Sequence, residues 1–524
     1  MILSVHEPHH TTHSSPLPIK PEPYETHQSP RPCAHLPKTP LRALPRILLR
    51  IFKARPGSRP PAMALRVVTR FVSSKLAAPT LLRPLPLSTA RSLPHGPSRL
   101  LSTSIARMSP SNVAPFYEGE PEGPIVKTSV PGPVSKKEID ELHEVFDTRA
   151  LTLLTDYDKC FGNYIADPDG NVFLDVYAQI ASIPIGYNNP ALIKAAQSPE
   201  MINGLVNRPA LGTFPPHDWA NVLKSGILKV APKGLDQVFT AMAGSDANET
   251  AYKAAFMWRR AHDRGGHQVE FTEEELSSAM NNQSPGASNL SILSFKTAFH
   301  GRLFGTLSTT RSKPIHKIDI PAFDWPQATF PQLKYPLEKH VEENRAAEQA
   351  SIDELRAVTR KHNVLLIVDE VQTGVGATGK FWAHEHWNLE DPPDMVTFSK
   401  KAQTAGYYFG NPELRPNKPY RQFNTWMGDP ARALIFRAII GEIERLDLVA
   451  NTARVGSYLF GQGTFIAFDN PRRDEFLGRA RKFGVNIGGS GQSAVRLRPM
   501  LIFQEKHADL LVDALEKVVL SFKE

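Results

Sequence analysis

Five consecutive apolar residues, Val364-Leu-Leu-Ile-Val368, end in Asp369 and run on into Glu370-Val-Gln-Thr-Gly374. A strand that alternated between core and solvent would break such a run every second residue. An unbroken run is the mark of a strand buried on both faces, as in a parallel sheet covered by helices. Sheets of that kind bind ligands at the carboxyl ends of their strands, and Asp369 stands at one. Other segments keep the same alternation. Ser135 with Glu138 makes a capping box that predicts a helix to Asp147. Asp169-Gly170, inside Asn163–Tyr177, predicts a hairpin. Val238–Met242, Leu290–Phe295 and Met395–Phe398 read as short strands. Asp246–Ala261, Ile352–His362 and Arg432–Leu446 read as helices, and Gln283–Ser288 and Pro321–Pro336 as surface loops. Strands alternating with helices predict an α/β fold with a mostly parallel sheet.

The 524 residues, 41% of them hydrophobic, suffice for more than one core. The net charge of +8 invites a nucleic-acid partner until its distribution is read. Residues 1–117 hold 4 Lys, 12 Arg and 3 acids, and the remainder 45 basic against 50 acidic residues. The body is therefore mildly acidic, and no nucleic-acid partner is expected. No apolar run approaches a membrane span; Ile47–Phe52 is broken by Arg50. The body's one cysteine, Cys160, excludes an internal disulfide there. From His27 to Tyr117 there is no acid, and Arg and Ser recur. Met63–Lys75 reads as a basic amphipathic helix and Arg99-Leu-Leu-Ser-Thr-Ser104 as a processing site, the pattern of a mitochondrial presequence. A disordered basic tail without an address is the other reading. Residues 1–108 are set aside as this leader.

Four segments carry chemistry. Asp369 ends one strand and Ser399-Lys400-Lys401 follows another. An acid and a lysine at neighbouring strand ends suit pyridoxal 5′-phosphate (PLP): the amine holds the cofactor covalently and the acid keeps the pyridine nitrogen protonated. Taken singly, Asp369 could cap a turn and the lysines could be solvated loop charges. Ala243-Gly244-Ser245-Asp246 stands between a strand and a helix, where glycine, hydroxyl and free N–H groups suit a phosphate; Asp246 with Glu249 could equally be a capping box. Ala298-Phe299-His300-Gly301-Arg302 suits a loop stacked on a flat cofactor, or a core Phe beside a surface Arg.

These segments resemble the class-III, fold-type-I, PLP-dependent aminotransferases in order and spacing. Within that family the likeness is closest to the 4-aminobutyrate transaminases, through Phe299–Arg302, Val368–Gly374, Lys380–Trp387, Phe398–Lys401, Phe423–Asp429 and Arg496-Leu-Arg-Pro499. It runs from about Pro124 to the C-terminus. It implies a large sheet domain (186–430) and a smaller α+β domain built from 109–185 and 431–524. It implies transfer of the amino group of 4-aminobutyrate to 2-oxoglutarate, giving succinate semialdehyde and glutamate, by a homodimer in the mitochondrial matrix. By resemblance Lys401, not Lys400, carries PLP, Asp369 pairs with the pyridinium and Gln372 with the ring hydroxyl. Gly244, Ser245 and Thr425 bind the phosphate, Thr425 from the neighbouring subunit, and Phe299 stacks on the ring. Arg302 and Arg496 hold substrate carboxylates, and Ile180 lines the pocket. Two separated bidentate arginines suit a site that serves a monocarboxylate and a dicarboxylate in turn. Other ω-amino-acid or ornithine aminotransferases, and an inactive form that only binds or dimerises, are the alternatives.

The chain departs from that pattern in three places. Ala243 and Asp246 stand where some animal members carry cysteines, so neither an iron–sulfur cluster nor another metal is expected. The family's strand ending in Glu-Pro-Ile, whose Glu partners the second substrate arginine, is missing ahead of Ile352. A longer helix and connection is shortened at Tyr458–Thr464. A missing strand predicts unpaired backbone in the sheet, at about 1–3 kcal/mol for each buried group, and hence an impaired protein.

Overall fold

The computed structural model describes residues 2–5, 114–335, 339–459 and 461–522. The presequence features of the leader lie outside them. The central sheet has seven strands: β1 (Ile2–Val5), β4 (Gln237–Ala241), β5 (Ser291–Phe295), β6 (Gln327–Ala328), β7 (Leu366–Asp369), β8 (Met395–Phe398) and β9 (Ala405–Phe409). Their order is β4-β9-β8-β7-β1-β5-β6. β7/β8 and β5/β6 pair parallel, while β9 is antiparallel to β8 and β4, and β1 to β5 and β7. All strands except β1 and β9 therefore point one way. β6 lies inside the stretch 321–336 read as loop; two residues are too short to show a period.

Two small sheets accompany it. β2 (Tyr164–Ala166) and β3 (Val172–Asp175) form the expected hairpin around Asp169-Gly170. β3 also pairs parallel with β11 (Val485–Asn486), so segments more than 300 residues apart share a sheet. β10 (Ile466–Asp469), β12 (Gly488–Ser490) and β13 (Ala494–Leu497) make the third. A core of buried apolar side chains ties the large sheet to the helices: Phe398 stacks on Tyr408 at 4.7 Å, and Phe436 and Trp382 pack beside them.

Helix α1 (Pro133–His143) starts without the expected capping box. The carboxylate of Asp169, from the hairpin turn, takes its place, accepting from the backbone N–H of Val134 (2.8 Å) and Ser135 (2.9 Å). A cap supplied 34 residues away satisfies the same free N–H groups that a local one would. α2 (Gly244–Asp263) follows β4 directly, and α3 (Val341–Lys361) begins well before Ile352, where its apolar spacing first becomes clear. Among the described residues no helix is long and apolar enough to cross a membrane.

The missing strand was expected to leave backbone unpaired in the sheet ahead of β7. β1, drawn from the segment set aside as leader, lies between β5 and β7, antiparallel to both, so the sheet is continuous there.

Candidate active site

Asp369 ends β7 beside a cavity of about 240 Å³ that reaches from Gly244 and Ser245, past Asn248 and Gln372, to Ser399 and Lys400. The carboxylate is held on several sides. The Val371 N–H donates to Oδ1 at 3.0 Å, and Asn248 Nδ2 and His300 Nδ1 lie 2.8 Å from Oδ2. A carboxylate only accepts, so Nδ1 carries the imidazole proton. Asn248 is itself fixed, accepting from Thr397 Oγ1 on β8 (2.7 Å) and donating to the His300 carbonyl (2.8 Å). Burial pushes His300 below its ordinary value, against the pull of Asp369. Burial alone would raise Asp369; the hydrogen bonds from its neighbours, His300 foremost, outweigh it and hold the carboxyl at about 2. The group is therefore ionised at any working pH.

At the far end α2 begins at Gly244 with no side chain capping its N-terminus. The alternative capping box does not form, because Asp246 turns back to accept from Met242 N–H at 2.8 Å. The bare helix end is narrowed by close packing. A Cβ on Gly244 would meet Val371 Cγ1 at 2.6 Å, and one on Gly301, whose φ is +127°, would meet Ser245 Oγ at 2.4 Å. Only glycine fits either place.

The two lysines differ. Lys401 is 1% exposed, and its Nζ lies 3.5 Å from the carbonyl of Ala181. Burial, then the charges of Lys400 and Arg498, lower it to about 7. Lys400, with φ +41°, lines the cavity; burial lowers it to about 8 against the pull of Asp369. Ala181 closes a left-handed turn in which Ala178, Gln179, Ile180 and Ala181 have φ of +45°, +48°, +64° and +64°. That conformation costs about 1–2 kcal/mol per residue. It is held by Asp175, which accepts from Tyr177 N–H (2.9 Å), Ala178 N–H (3.0 Å), Asn486 Nδ2 (2.9 Å) and Tyr187 Oη (2.7 Å). Ile180 sits at the crown of the turn, 51% exposed.

Arg496 on β13 is buried enough to lower its guanidinium, and Nη1 donates to Gln372 Oε1 at 3.2 Å. Among the described residues no carboxylate is paired with it. Arg498 lies over the Tyr177 ring at 5.3 Å. Arg302 is exposed, with Nη2 3.0 Å from His316 Nε2 and its guanidinium 5.2 Å from the Phe299 ring centroid. Phe299 lines the cavity and keeps 43% of its surface exposed. Thr425 is exposed and is not part of the cavity lining.

The structure thus brings Gly244, Ser245, Phe299, Asp369 and Gln372 to one cavity, ties Arg496 to Gln372, and leaves Lys401, Ile180, Arg302 and Thr425 outside its lining. Sequence reasoning gave no role to His300, Asn248 or Thr397, which orient Asp369. One signal was readable: Asn248 lies one helical turn beyond Gly244, on the face that looks toward the same strand ends.

A mixed sheet with an acid and lysines at adjacent strand ends, facing a bare helix N-terminus, defines a class, and relatives bear it out. The chain belongs to the class-III aminotransferase family, whose profile, "Aminotransferase class-III", matches residues 145–358 and 345–519. Among its relatives are proteins named 4-aminobutyrate aminotransferase. That of Emericella nidulans is 63% identical over 461 residues, 77% of this chain and 93% of the relative. That of Saccharomyces cerevisiae is 50% identical over 464 residues (77% and 98%). The "4-aminobutyrate aminotransferase, mitochondrial" of Sus scrofa is 42% identical over 485 residues (81% and 96%). In fold the chain resembles the lysine aminotransferase of M. tuberculosis, at TM-score 0.61 and 24% identity over 74% of this chain and 99% of that one. It also resembles an omega transaminase of Pseudomonas jessenii, at TM-score 0.58 and 18% identity over 74% and 98%.

Proposed function

We propose that the protein transfers the amino group of 4-aminobutyrate to 2-oxoglutarate, releasing succinate semialdehyde and glutamate, with PLP as cofactor. The observation that carries this reading is the Asp369 network: a buried carboxylate kept ionised at the mouth of a cavity whose other end is a bare helix N-terminus.

The residues present fit PLP. Asp369 Oδ1 takes only the Val371 N–H among the described residues, leaving room for a pyridinium N–H. The Gly244–Ser245 helix end and the Gly301 cradle suit a phosphate. Gln372 and Phe299 line the wall between, suited to the ring hydroxyl and the ring face. When bound there, PLP supplies an electron sink for the substrate carbon that loses its proton. Asp369 keeps the ring nitrogen protonated by staying ionised itself. Lys401 Nζ, uncharged above about pH 7, is the group we assign to hold the cofactor and to move a proton at the substrate carbon. Its complete burial and its position against the strained turn bearing Ile180 support that assignment. Lys400, which lines the cavity, is the second reading. Arg302 and Arg496 are assigned to substrate carboxylates, and Ile180 to the wall of the substrate pocket. Thr425, outside its own chain's cavity, is assigned to the phosphate site of a second copy, so the working unit is a dimer.

Purified protein given 4-aminobutyrate should lose the visible absorbance of bound PLP, recover it with 2-oxoglutarate, and form glutamate in step. Colourless protein, or colour indifferent to 4-aminobutyrate, overturns the reading. Residues 63–117 are proposed to direct the chain to the mitochondrial matrix, in keeping with the name of the Sus scrofa relative. A reporter carrying them should be imported and trimmed near Leu101–Met108; a reporter left diffuse in the cytosol refutes this.

A further inference from the structure

Strands β5 and β7 run in the same direction but are not partners; each pairs with β1. The register sets Ile2 opposite Ser294 and Ile367, and Leu3 opposite Leu293 and Leu366. Strands in a sheet lie about 4.8 Å apart, so the two walls are one strand-width from closing on each other. The occupant comes from the far end of the chain and runs against both walls.

Two further observations bear on the chain ahead of β7. The class-III profile matches in two overlapping pieces, 145–358 and 345–519, so the family pattern is interrupted inside α3, the helix that leads into β7. The match to the Emericella nidulans protein spans 461 positions but uses 77% of this 524-residue chain, so some tens of its positions have no counterpart here.

We infer that the slot between β5 and β7 is a strand-acceptor site, and that its ligand is the chain's own N-terminal segment, Ile-Leu-Ser-Val, bound as an exchangeable β-strand. The recognition is β-augmentation on both edges: main-chain hydrogen bonds hold the peptide, and its apolar, β-branched residues suit a central strand. The slot also touches the chemistry. β7 ends in Asp369, and the chain leaving β5 reaches His300 within five residues, so the 2.8 Å His300–Asp369 contact spans the two walls that β1 joins. Filling the slot holds that pair in register. A form that loses its first residues, by removal of the proposed presequence, has the slot open. This inference concerns the sheet and does not depend on which amine is transferred.

The backbone says which amides to watch. Ser294 N–H donates to Pro326 on the β6 side and Leu366 N–H to Asp394, so by strand alternation the N–H groups of Leu293 and Ile367 face the slot. In the full chain, Leu3→Pro with Ser4→Pro should speed hydrogen exchange at Leu293 and Ile367 at least tenfold, while the β8–β9 amides stay protected. Since a proline variant can fail to fold, a second arm starts from folded protein: a protease site inserted after Glu7 is cut after purification. The released segment should stay with the body through gel filtration, and be displaced by excess peptide Met1–Glu7 but not by the same peptide carrying both prolines. If the cut segment elutes free while Leu293 and Ile367 stay protected, or if the double-proline chain exchanges like the parent, the inference is overturned.

Discussion

The two ends of the candidate site are built differently. Around Asp369 the polar groups are interlocked: Thr397 fixes Asn248, Asn248 and His300 fix the carboxylate, and Thr310 pins the loop by accepting from His300 N–H at 2.9 Å. At the arginine end the partners are neutral or loose. Arg496 has an amide for a partner, and Arg302 leans on an imidazole in solvent. The difference follows from what each end must do. A single cofactor can be met by rigid, pre-oriented dipoles. Substrates with one and two carboxylates pass through the other end in turn, and a fixed counter-charge there would have to let go.

The largest expected effect tests the rigid end. Lys401→Ala should cut transamination by about 10⁴-fold, the upper range for losing a positioned acid–base group, and abolish borohydride fixation of PLP to protein. Lys400→Ala should retain fixation; the opposite pattern moves the role one residue and makes the cavity-lining lysine the catalytic one. Asp369→Asn comes next, with about 4 kcal/mol of transition-state stabilisation lost in single-turnover measurements and little change in thermal midpoint. Near-normal turnover would take Asp369 out of the cofactor site and leave the comparison without its first term.

Effects at the loose end should be smaller and lie in KM. Arg302→Lys keeps the charge and loses the fork, so KM for 4-aminobutyrate should rise several-fold, about 1 kcal/mol, while PLP binding is spared. Unchanged kinetics with a lower melting point would make it a structural arginine. Arg496, with no carboxylate partner among the described residues, should favour the second carboxylate of glutamate, so kcat/KM for glutamate should exceed that for 4-aminobutyrate. The reverse order would require another residue to offset its charge.

Two further tests concern stability. Burying Lys401 with a pKa near 7 against an ordinary value near 10.4 means that the unfolded chain binds more protons between those values. The stability of the cofactor-free protein should therefore rise with pH over that window and be flat below it. Lys401→Met should stabilise most at about pH 7 and least near pH 10; a pH-independent difference would refute the burial argument. Asp169→Ala should cost about 1 kcal/mol by uncapping α1, with fraying confined to Pro133–Lys136 in hydrogen exchange.

The sequence by itself determined the class of fold and the residues at the strand ends. A short unbroken apolar run ending in an acid fits a covered strand, and the Asp169-Gly170 hairpin and the Gly244 turn rest on local backbone rules. Tertiary structure alone decided which groups complete them. Asp169 caps α1 from 34 residues away, Asn248 and His300 hold Asp369 from separate elements, and Lys400, at a positive φ, lines the cavity rather than Lys401. It also decided that Ile2–Val5 lies between β5 and β7. Hydrogen bonding across a sheet depends on backbone geometry and hardly on side-chain identity, so nothing in those four residues could announce their partners.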